Sequence, residues 1–465
     1  MEHDSHESKR RPSGSFGRAS SGRHSLNLSR RFSFQSDEKE SEIVSEAGDI
    51  GDRALCSSLH SDGSNIRLSL DNSVENGAFL APLSSNLSHS NGLTANASAA
   101  ALHSGSQVAP KPEEIICPLS TEVMVESKKN VQERDKALTL SPFADYITSL
   151  VYLAVFGILG VLTRYLLQKL FGPGIAGVTS DHSPLYLDLP SNMVGSFLMG
   201  WLGFVFKGDI SYVSTHLAIG LTTGYLGSLT TFSGWNQKML DLSVNGQWVF
   251  SVVGILIGLF LAAYSIKFGV ETAKWFRLLL EKLNKNRNCY TWRVDSWKRH
   301  LLVMVVLLLI LALLLIVSGT QLKEDYNTNA SGAQLWVACI VAAPGVWIRW
   351  FLARLNGRGL GKTGHFKWLP FGTLAANVSA AAIMAAISTL RKAVHTKAWN
   401  IISAGIQFGF LGCLSTVSTF MAEYYAMEES TRSWRAYVYA LTTIILSYVL
   451  GILIYSVPVW IRGYK

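Results

Sequence analysis

The sequence predicts an all-α polytopic membrane protein with nine membrane spans, arranged as two inverted four-helix repeats joined by one linking transmembrane helix. Three observations predict this fold. Of the 465 residues, 49% are hydrophobic and only 16% are charged, below the roughly 25% of an average soluble domain. Apolar stretches long enough to cross a bilayer recur from about Phe143 onward. One constant offset in residue number superposes the unusual residues of the early stretches on those of the late ones.

Residues 1–140 differ in composition from the rest of the chain. They are rich in Ser and poor in aromatic residues, and they carry 15 Lys and Arg against 19 Asp and Glu before Leu140. A segment with so little apolar surface cannot offset the loss of chain entropy on folding, and no signal-peptide core follows the early charges. We expect residues 1–140 to form a disordered cytosolic Ser-rich tail. We expect its basic clusters either to mark phosphorylation sites at the adjacent serines or to touch anionic membrane lipid. The alternative is that the tail has no specific role.

The remaining chain contains nine apolar stretches, which we interpret as helices because their length and continuity do not fit the short alternating strands of a barrel. The predicted spans are approximately 146–170, 187–206, 212–238, 247–268, 300–319, 334–354, 368–389, 399–425 and 437–460. The fifth span differs from the others because Leu301 to Val317 contains neither Gly nor a charge. Such a helix is expected to face lipid and to serve as the link between the repeats.

The loop at residues 271–299 sets the expected orientation. It contains eight Lys and Arg residues against three acidic residues, which predicts a cytosolic position. The N-terminus is then cytosolic, the C-terminus lies outside, and the glycosylation sequon at Asn329 falls in an outer loop. We expect residence in the plasma membrane. The 26 basic residues after Leu140, against 13 acidic ones, are explained by such loops and by anion paths, so no nucleic-acid partner is predicted.

The constant offset aligns spans one to three with spans six to eight without a gap. The equivalent pairs include Arg164 and Arg349, Asn192 and Asn377, Gly227 and Gly412, Thr231 and Thr416, and Ser233 and Ser418. Each repeat has four helices, in residues 141–270 and 334–462, and the helix at 300–319 has no counterpart. An odd helix between the repeats inverts the second one, and in such architectures the sites lie near the bilayer midplane between the repeats.

Polar runs interrupt the third and eighth spans at residues 227–235 and 412–420. These runs favour a helix break, whose freed carbonyl groups are ready cation ligands. The alternative is a continuous helix whose hydroxyl groups bond back to its own carbonyls. A third polar feature is the line of hydroxyls at Tyr439, Thr443 and Ser447 on the ninth span, which lie on one helix face. The fourth span has no such line.

Two asparagines and two arginines occupy equivalent positions in the repeats. Asn192 and Asn377 bring amide donors into apolar spans, where they contact an anion or simply hydrogen-bond between helices. Arg164 and Arg349 lie toward span ends. They attract anions into a vestibule or snorkel to the membrane interface.

These residues together resemble the fluoride channel family, called Fluc or CrcB in bacteria and FEX in eukaryotes. The matching motifs are Gly160-Val-Leu-Thr-Arg164-Tyr165, Gly345-Val-Trp-Ile-Arg349-Trp350, Gly372-Thr373-Leu374-Ala-Ala-Asn377 and Gly227-Ser-Leu-Thr230-Thr231-Phe232-Ser233. The resemblance covers residues 145 to 460, and the helix-three motif is its most specific part. Bacterial members are antiparallel homodimers of four-helix subunits. The chain looks like the fused, two-domain eukaryotic form, plant-like in its long N-terminal tail.

The resemblance implies a passive, selective fluoride exporter that lowers cytosolic fluoride and functions as a monomer, because both halves are fused. It implies vestibule roles for Arg164 and Arg349, and a central structural sodium ion. The backbone carbonyls implied to hold that ion are those of Gly227, Thr230, Gly412 and Ser415. The residues expected to line the fluoride path are Asn192, Asn377, Phe232, Phe420, Thr231, Ser233, Thr416, Ser418, Tyr439, Thr443 and Ser447.

The chain departs from the family pattern in ways that predict unequal pores. Trp235 replaces the second helix-three Phe of the first half, and Val417 replaces the first Phe of the second half. The family pairs the first Phe of one half with the second Phe of the other. One intact pairing, Phe232 with Phe420, therefore remains, and the pore that would join Val417 to Trp235 is expected to be degenerate.

Two other function classes stay open. Asp188 stands where the second half has Thr373, so a secondary transporter that couples an anion or another small solute to protons or cations is the main alternative. A membrane scaffold without conduction is the other. The sequence contains no recognisable nucleophile with its base, phosphate loop or metal-hydrolase motif, and we do not expect an enzyme.

Overall fold

The computed structural model describes residues 141–283, 297–359 and 366–463. Every regular element in these ranges is helical. The predicted N-terminal tail lies outside the described residues, as do residues 284–296 of the predicted basic loop.

Helices α1 to α6 belong to the first half. They are α1 (Pro142–Phe171), α2 (Leu189–Val205), α3 (Lys207–Val213), α4 (residues 215–229), α5 (Phe232–Val244) and α6 (Trp248–Leu283). Helix α1 begins where the sequence provides an N-cap: the Ser141 hydroxyl accepts from the amide of Ala144 at 3.3 Å, and Pro142 occupies the first turn.

The second half repeats this order after the linking helix α7. The linking helix is α7 (Trp297–Thr328), and the elements of the second half are α8 (Ala330–Ala353), α9 (Phe371–Ala393), α10 (residues 397–414), α11 (Ser418–Glu428) and α12 (Trp434–Arg462). The side chain of Asn329, the predicted glycosylation position, caps α8 by accepting from the amide of Gly332 at 3.1 Å.

Seven helical segments in the described ranges are long and apolar enough to cross a membrane, with α10 and α11 taken together as Lys397–Glu428, or eight if α2 and α3, which meet at a bend of 69°, form one span. The predicted span 212–238 is not among them, and there α4 and α5 are separated by the extended residues Thr230 and Thr231. Neither piece is long enough to be a spanning helix by itself. The count of nine spans and the inversion of the repeats stay predictions.

Helix boundaries differ from the predicted ones because a helix does not end where its hydrophobicity ends. Helix α6 continues through residues 271–283, which the sequence analysis assigned to the loop. Ion pairs spaced for a helix support this polar extension, at 2.8 Å between Lys274 and Glu271 and 3.6 Å between Arg277 and Glu281. The linking helix is likewise longer than the predicted 300–319 and ends at Thr328.

The linking helix packs along α8 and α1, but most of its apolar side chains are exposed, as its composition predicts. Leu307 is buried with Val151 and Tyr152 of α1, whereas Leu309 and Leu313 are 65% and 61% exposed. The centre of the molecule is instead formed by α1 and α8 against the broken helices α4 and α10. Glycine permits this approach, since a Cβ atom at Gly160 would lie 2.5 Å from the carbonyl oxygen of Tyr225.

Candidate functional site

The breaks in the two halves lie against each other in the buried centre of the molecule. Thr230 and Thr231 are extended in the first break, and Ser415 is extended in the second. The hydroxyl oxygens of Thr230 and Thr416 are 3.2 Å apart, as are those of Thr231 and Ser415. The structure therefore has broken helices at both predicted positions, and the alternative of a continuous helix does not hold.

Each break is capped by a hydroxyl group from the other half. The Ser415 hydroxyl oxygen accepts from the amides of Phe232 and Ser233, at 3.2 and 3.0 Å, at the start of α5. The Thr230 hydroxyl oxygen accepts from the amides of Val417 and Ser418, at 3.1 and 3.0 Å, at the start of α11. These crossed contacts satisfy amide groups that a helix start leaves without partners. The cap of each outgoing helix is thus supplied across the interface between the halves.

The two asparagines replace the backbone hydrogen bonds that the breaks remove. Asn192 Oδ1 accepts from the amide of Thr231 at 2.9 Å, and Asn192 Nδ2 donates to the carbonyl of the same residue at 3.2 Å. Asn377 binds both backbone groups of Thr416 in the same way, at 2.8 and 3.1 Å. Both side chains are fully buried. Their first role is therefore to pair backbone groups that are buried away from water.

The two asparagine sites differ in how many donors remain. Asn192 Nδ2 also donates to the Tyr186 hydroxyl at 3.2 Å, so both of its N–H groups are engaged. The residue equivalent to Tyr186 is Phe371, which has no acceptor. Among the described residues, only the carbonyl of Thr416 accepts from Asn377 Nδ2. Asn377 thus retains an N–H group for a ligand.

The carbonyl groups expected to hold sodium lack their usual helical donors. In a continuous helix the carbonyls of Gly227 and Gly412 would accept from the amides of Thr231 and Thr416, but those amides donate to Asn192 and Asn377.

The same holds one turn later, where the carbonyls of Thr230 and Ser415 would accept from the amides of residues 234 and 419. Those amides donate to the hydroxyls of Thr231 and Thr416. Carbonyl oxygens freed from a helix are suitable ligands for sodium. The donor set at the two breaks therefore fits this ion.

The two arginines do not snorkel. Arg164 is 0% and Arg349 is 5% exposed, and each contacts the opposite half. The guanidinium of Arg164 donates to the carbonyl of Phe408 and lies 4.4 Å from the centroid of its ring. Arg349 Nη2 donates to the carbonyl of Thr223 at 2.6 Å. Both guanidinium groups lie beside the helix breaks rather than at the surface of the protein.

The aromatic side chains of the helix-three motifs form a chain of edge-to-face contacts. The ring centroids of Phe232 and Phe420 are 6.0 Å apart, with an interplanar angle of 79°. Phe420 meets Tyr439 at 5.1 Å, and Phe232 meets Trp235 at 5.6 Å. Val417 is buried in the same apolar cluster. The structure thus brings together the phenylalanines that the sequence analysis paired.

The hydroxyl line of the ninth predicted span is buried. Tyr439, Thr443 and Ser447 are all fully enclosed, and no partner within the described ranges bonds the Ser447 hydroxyl. The equivalent residues of α6 are Gly254, Gly258 and Ala262.

The indole of Trp235 fills the space that these small residues leave. A Cβ atom at Gly258 would lie 2.6 Å from the ring, and the indole N–H donates to the Gly254 carbonyl at 3.3 Å. The two halves therefore differ at this position: α12 presents a line of hydroxyl groups, whereas the space beside α6 is filled by the Trp235 indole.

A buried carboxylate that the sequence analysis missed lies next to this line. Glu423 accepts from the hydroxyls of Thr373 and Tyr439, at 2.5 and 2.6 Å, and from Asn356 Nδ2 at 3.2 Å. Asn356 Oδ1 in turn accepts from the amide of Gly372 at 2.7 Å. One sequence feature could have identified Glu423 as a candidate functional residue: it is a carboxylate within the predicted span 399–425. Asn356 lies in a loop, and nothing in the sequence around it indicates a functional role.

A cavity of about 660 Å³, partly open to the surface, borders the first break. Arg164, Asp188 and Thr231 line its inner end, and Asp241 and Arg391 contribute charges of both signs. Asp188 is held there by Gln168, whose Nε2 donates to Oδ1 at 2.5 Å.

The family described as "CrcB-like protein, Camphor Resistance (CrcB)" matches the chain twice, at residues 151–270 and 336–455. The second match is displaced from the first by the same offset that relates Arg164 to Arg349, so the predicted duplication is confirmed. Together the two matches cover more than half of the chain.

Individual relatives match one domain. The fluoride-specific ion channel FluC of Geobacter metallireducens is 32% identical over 126 residues, which cover 27% of this chain and 97% of the relative. FluC 2 of Listeria monocytogenes is 32% identical over 124 residues, covering 26% and 85%. FluC of Acidithiobacillus ferrooxidans is 38% identical over 114 residues, covering 24% and 83%. No solved structure matches the chain significantly.

Proposed function

Because the chain belongs to the CrcB-like family and carries two copies of its domain, we propose that this multi-pass membrane protein is a fluoride channel. Its curated relatives are named as fluoride-specific ion channels, and their sequences are covered almost completely by one domain each. The family is one of channels rather than enzymes. Transport is passive and lowers cytosolic fluoride.

The observation that carries this proposal is the buried, edge-to-face pair of Phe232 and Phe420 beside the hydroxyl line of α12. Fluoride is small and strongly hydrated, so a dry path must replace its water with directed donors. Hydroxyl and amide groups supply such donors, and the positive edges of aromatic rings add to them. The spare N–H group of Asn377 fits the same requirement.

Fluoride passes through one pore, and the second is degenerate. The conducting pore uses Phe232, Phe420 and Asn377. The other position has an asparagine saturated by Tyr186, and the Trp235 indole replaces the missing hydroxyl line. Both differences remove donors from the path, which supports the asymmetry that the substitutions at 235 and 417 predict.

Further parts of the proposal concern assembly and environment. The two domains are inverted relative to each other, which the crossed contacts of Thr230 and Ser415 support. A structural sodium ion is held by the freed carbonyls of the two breaks. The fused chain functions as a monomer in lipid, without a nucleic-acid partner, in the plasma membrane. Its N-terminus is cytosolic and its C-terminus lies outside.

Coupled transport is the second candidate function. Asp188 lines the open cavity and Glu423 is fully buried, so both carboxylates are placed where a coupling proton or cation would act. Fluoride efflux from proteoliposomes with and without a pH gradient separates the two functions. Channel function predicts efflux down the fluoride gradient in both conditions, and coupled transport predicts efflux that follows the proton or cation gradient.

Four substitutions test the single conducting pore. Phe232→Ile and Phe420→Ile should each suppress electrode-measured fluoride efflux by about 100-fold or more, since each removes a ring edge from the path. Trp235→Ile and Val417→Ala serve as matched controls in the degenerate pore and should retain most of the flux. All four proteins must elute as monodisperse species. Equal losses in both pairs would show that two pores conduct, and loss confined to the control pair would reverse the assignment.

A further inference from the structure

The buried arginines hold positions that are equivalent in sequence and reciprocal in space. Arg164, from the first half, donates to the carbonyl of Phe408 in the second half. Arg349, from the second half, donates to the carbonyl of Thr223 in the first half. The two acceptors, like the two donors, are equivalent positions of the repeat. Each guanidinium therefore binds the same backbone group of the opposite half.

The acceptor carbonyls lie in turns with irregular hydrogen bonding. Thr223 is within the π-helical segment Gly220–Leu226, and Phe408 is within the π-helical segment Gln407–Leu411. A π-helical turn shifts the hydrogen bond from the fourth to the fifth residue, which leaves a carbonyl underused and often marks a functional position. The arginine of the other half supplies a charged donor to that carbonyl.

Glycines at the breaks make room for the same guanidinium groups. A Cβ atom at Gly412 would lie 2.5 Å from Arg164 Nη1, and one at Gly227 would overlap Arg349 Nη1. The guanidinium planes thus pack directly on the last helical turn before each break. Across the described ranges, no carboxylate pairs with either arginine, and the Nε and Nη1 groups of both have no acceptor. Each arginine donates across the interface to a backbone carbonyl, and Arg164 also interacts with the Cys413 thiol beside Gly412.

We propose that Arg164 and Arg349 are positioning residues that act across the interface, each fixing the π-helical turn and the helix break of the opposite half. The arginine of the first half then serves the break that carries Asn377 and Thr416. The arginine of the second half serves the break that carries Asn192 and Thr231. This assignment differs from a charge that attracts anions into a vestibule. Its consequence for flux rests on the proposed function, but the positioning role does not.

Thiol labelling of the full-length protein in detergent tests the crossed assignment without measuring transport. Cys413 is fully buried next to Gly412, and Ser228 is its equivalent beside Gly227. Arg164→Lys should raise the rate of N-ethylmaleimide labelling at Cys413 by on the order of tenfold, as expected when a charge-assisted hydrogen bond is lost. Because the side chains of Ser228 and Cys413 contact each other, the second thiol is measured in a Ser228→Cys, Cys413→Ser background, where Arg349→Lys should raise labelling at position 228 in the same way.

Lys keeps the charge but not the planar fork, and Arg354→Lys, near the end of α8, is the control for the substitution itself. Equal labelling of both positions in either variant, or a pattern confined to the same half, would overturn the proposal. If a Lys variant does not fold, the corresponding Met variant, which keeps bulk without donors, is measured in its place.

Fluoride efflux supplies the functional arm of the test. Arg164→Lys should reduce efflux by on the order of tenfold or more, because it loosens the break of the conducting pore, whereas Arg349→Lys should reduce it less. Undiminished efflux in Arg164→Lys would show that flux depends only on the charge at this position and would overturn the functional consequence of the positioning role. Failure of the unsubstituted protein to pass fluoride would instead contradict the proposed function, and the labelling pattern would still decide the crossed assignment.

Discussion

Asn377 illustrates how one side chain both maintains the backbone and leaves a donor for a ligand. Its amide pairs the N–H and C=O groups of Thr416, which have no helical partners at the break. Asn192 does the same for Thr231, but its remaining N–H group is used by Tyr186. At the two asparagines, the halves thus differ by a single hydroxyl group, that of Tyr186.

At the scale of single residues we predict that Asn377→Ala destabilises the protein and abolishes fluoride efflux. Two buried backbone groups would lose their partners, at about 1–3 kcal/mol each, so the apparent unfolding temperature in detergent should fall clearly. Asn400→Ala, a change of the same residue type near the start of α10, should leave both measurements unchanged. An unaltered unfolding temperature in Asn377→Ala would mean that the break does not depend on this amide.

The helix breaks show how an element can depend on a residue far away in sequence. At the starts of α5 and α11, the local hydroxyls of Thr231 and Thr416 each accept from one amide. The hydroxyls of Ser415 and Thr230, from the opposite halves, accept from the amides that remain. The start of each outgoing helix is therefore fully capped only when the other half is docked.

We predict that Thr230→Ala and Ser415→Ala each lower stability by about 1–2 kcal/mol, the usual value of a helix cap. Thr230→Ser keeps the hydroxyl and should recover most of the loss. Thermal unfolding in detergent measures both effects. A Thr230→Ser protein as unstable as Thr230→Ala would assign the loss to the methyl group and its packing instead of the cap.

The linking helix provides the opposite case, an element whose apolar side chains are mostly exposed. Leu307→Ala should destabilise the protein by about 2–3 kcal/mol, because this side chain is 8% exposed. Leu309→Ala, at 65% exposure, should have little effect on unfolding temperature, since its side chain meets only lipid. Similar losses from both substitutions would show that the helix has a second partner on its outer face.

For the whole molecule, the crossed caps and crossed arginines predict that one domain is insufficient. A chain ending at residue 270 would contain Thr230 and Arg164 but lack Ser415 and Arg349, which complete the first break. Expressed alone in proteoliposomes, residues 140–270 should give little or no fluoride efflux relative to the full chain. Full activity from this fragment would show that it assembles with itself and that the second domain is dispensable.

The sequence by itself determined the duplication and the positions of both breaks, and the pairing of Phe232 with Phe420 came from the family resemblance. It did so because intramembrane polar residues are costly, so they are few and their spacing is a readable signal. The constant offset between the halves needed only that signal. Hydrophobicity located the helices for the same reason, although it did not locate the end of α6, where a polar segment continues the helix.

Only the tertiary structure decided which hydrogen-bonding groups already have partners within the protein. In the sequence, Asn192 and Asn377 are equivalent positions of the repeat, and Arg164 and Arg349 lie near the ends of predicted spans. Tyr186 saturates one asparagine, and both arginines reach across to the opposite half. Glu423 acquires its setting from Thr373, Tyr439 and Asn356, which lie on three separate segments. Hydrogen bonding depends on distances between atoms far apart in the chain, and residue spacing along one helix does not contain those distances.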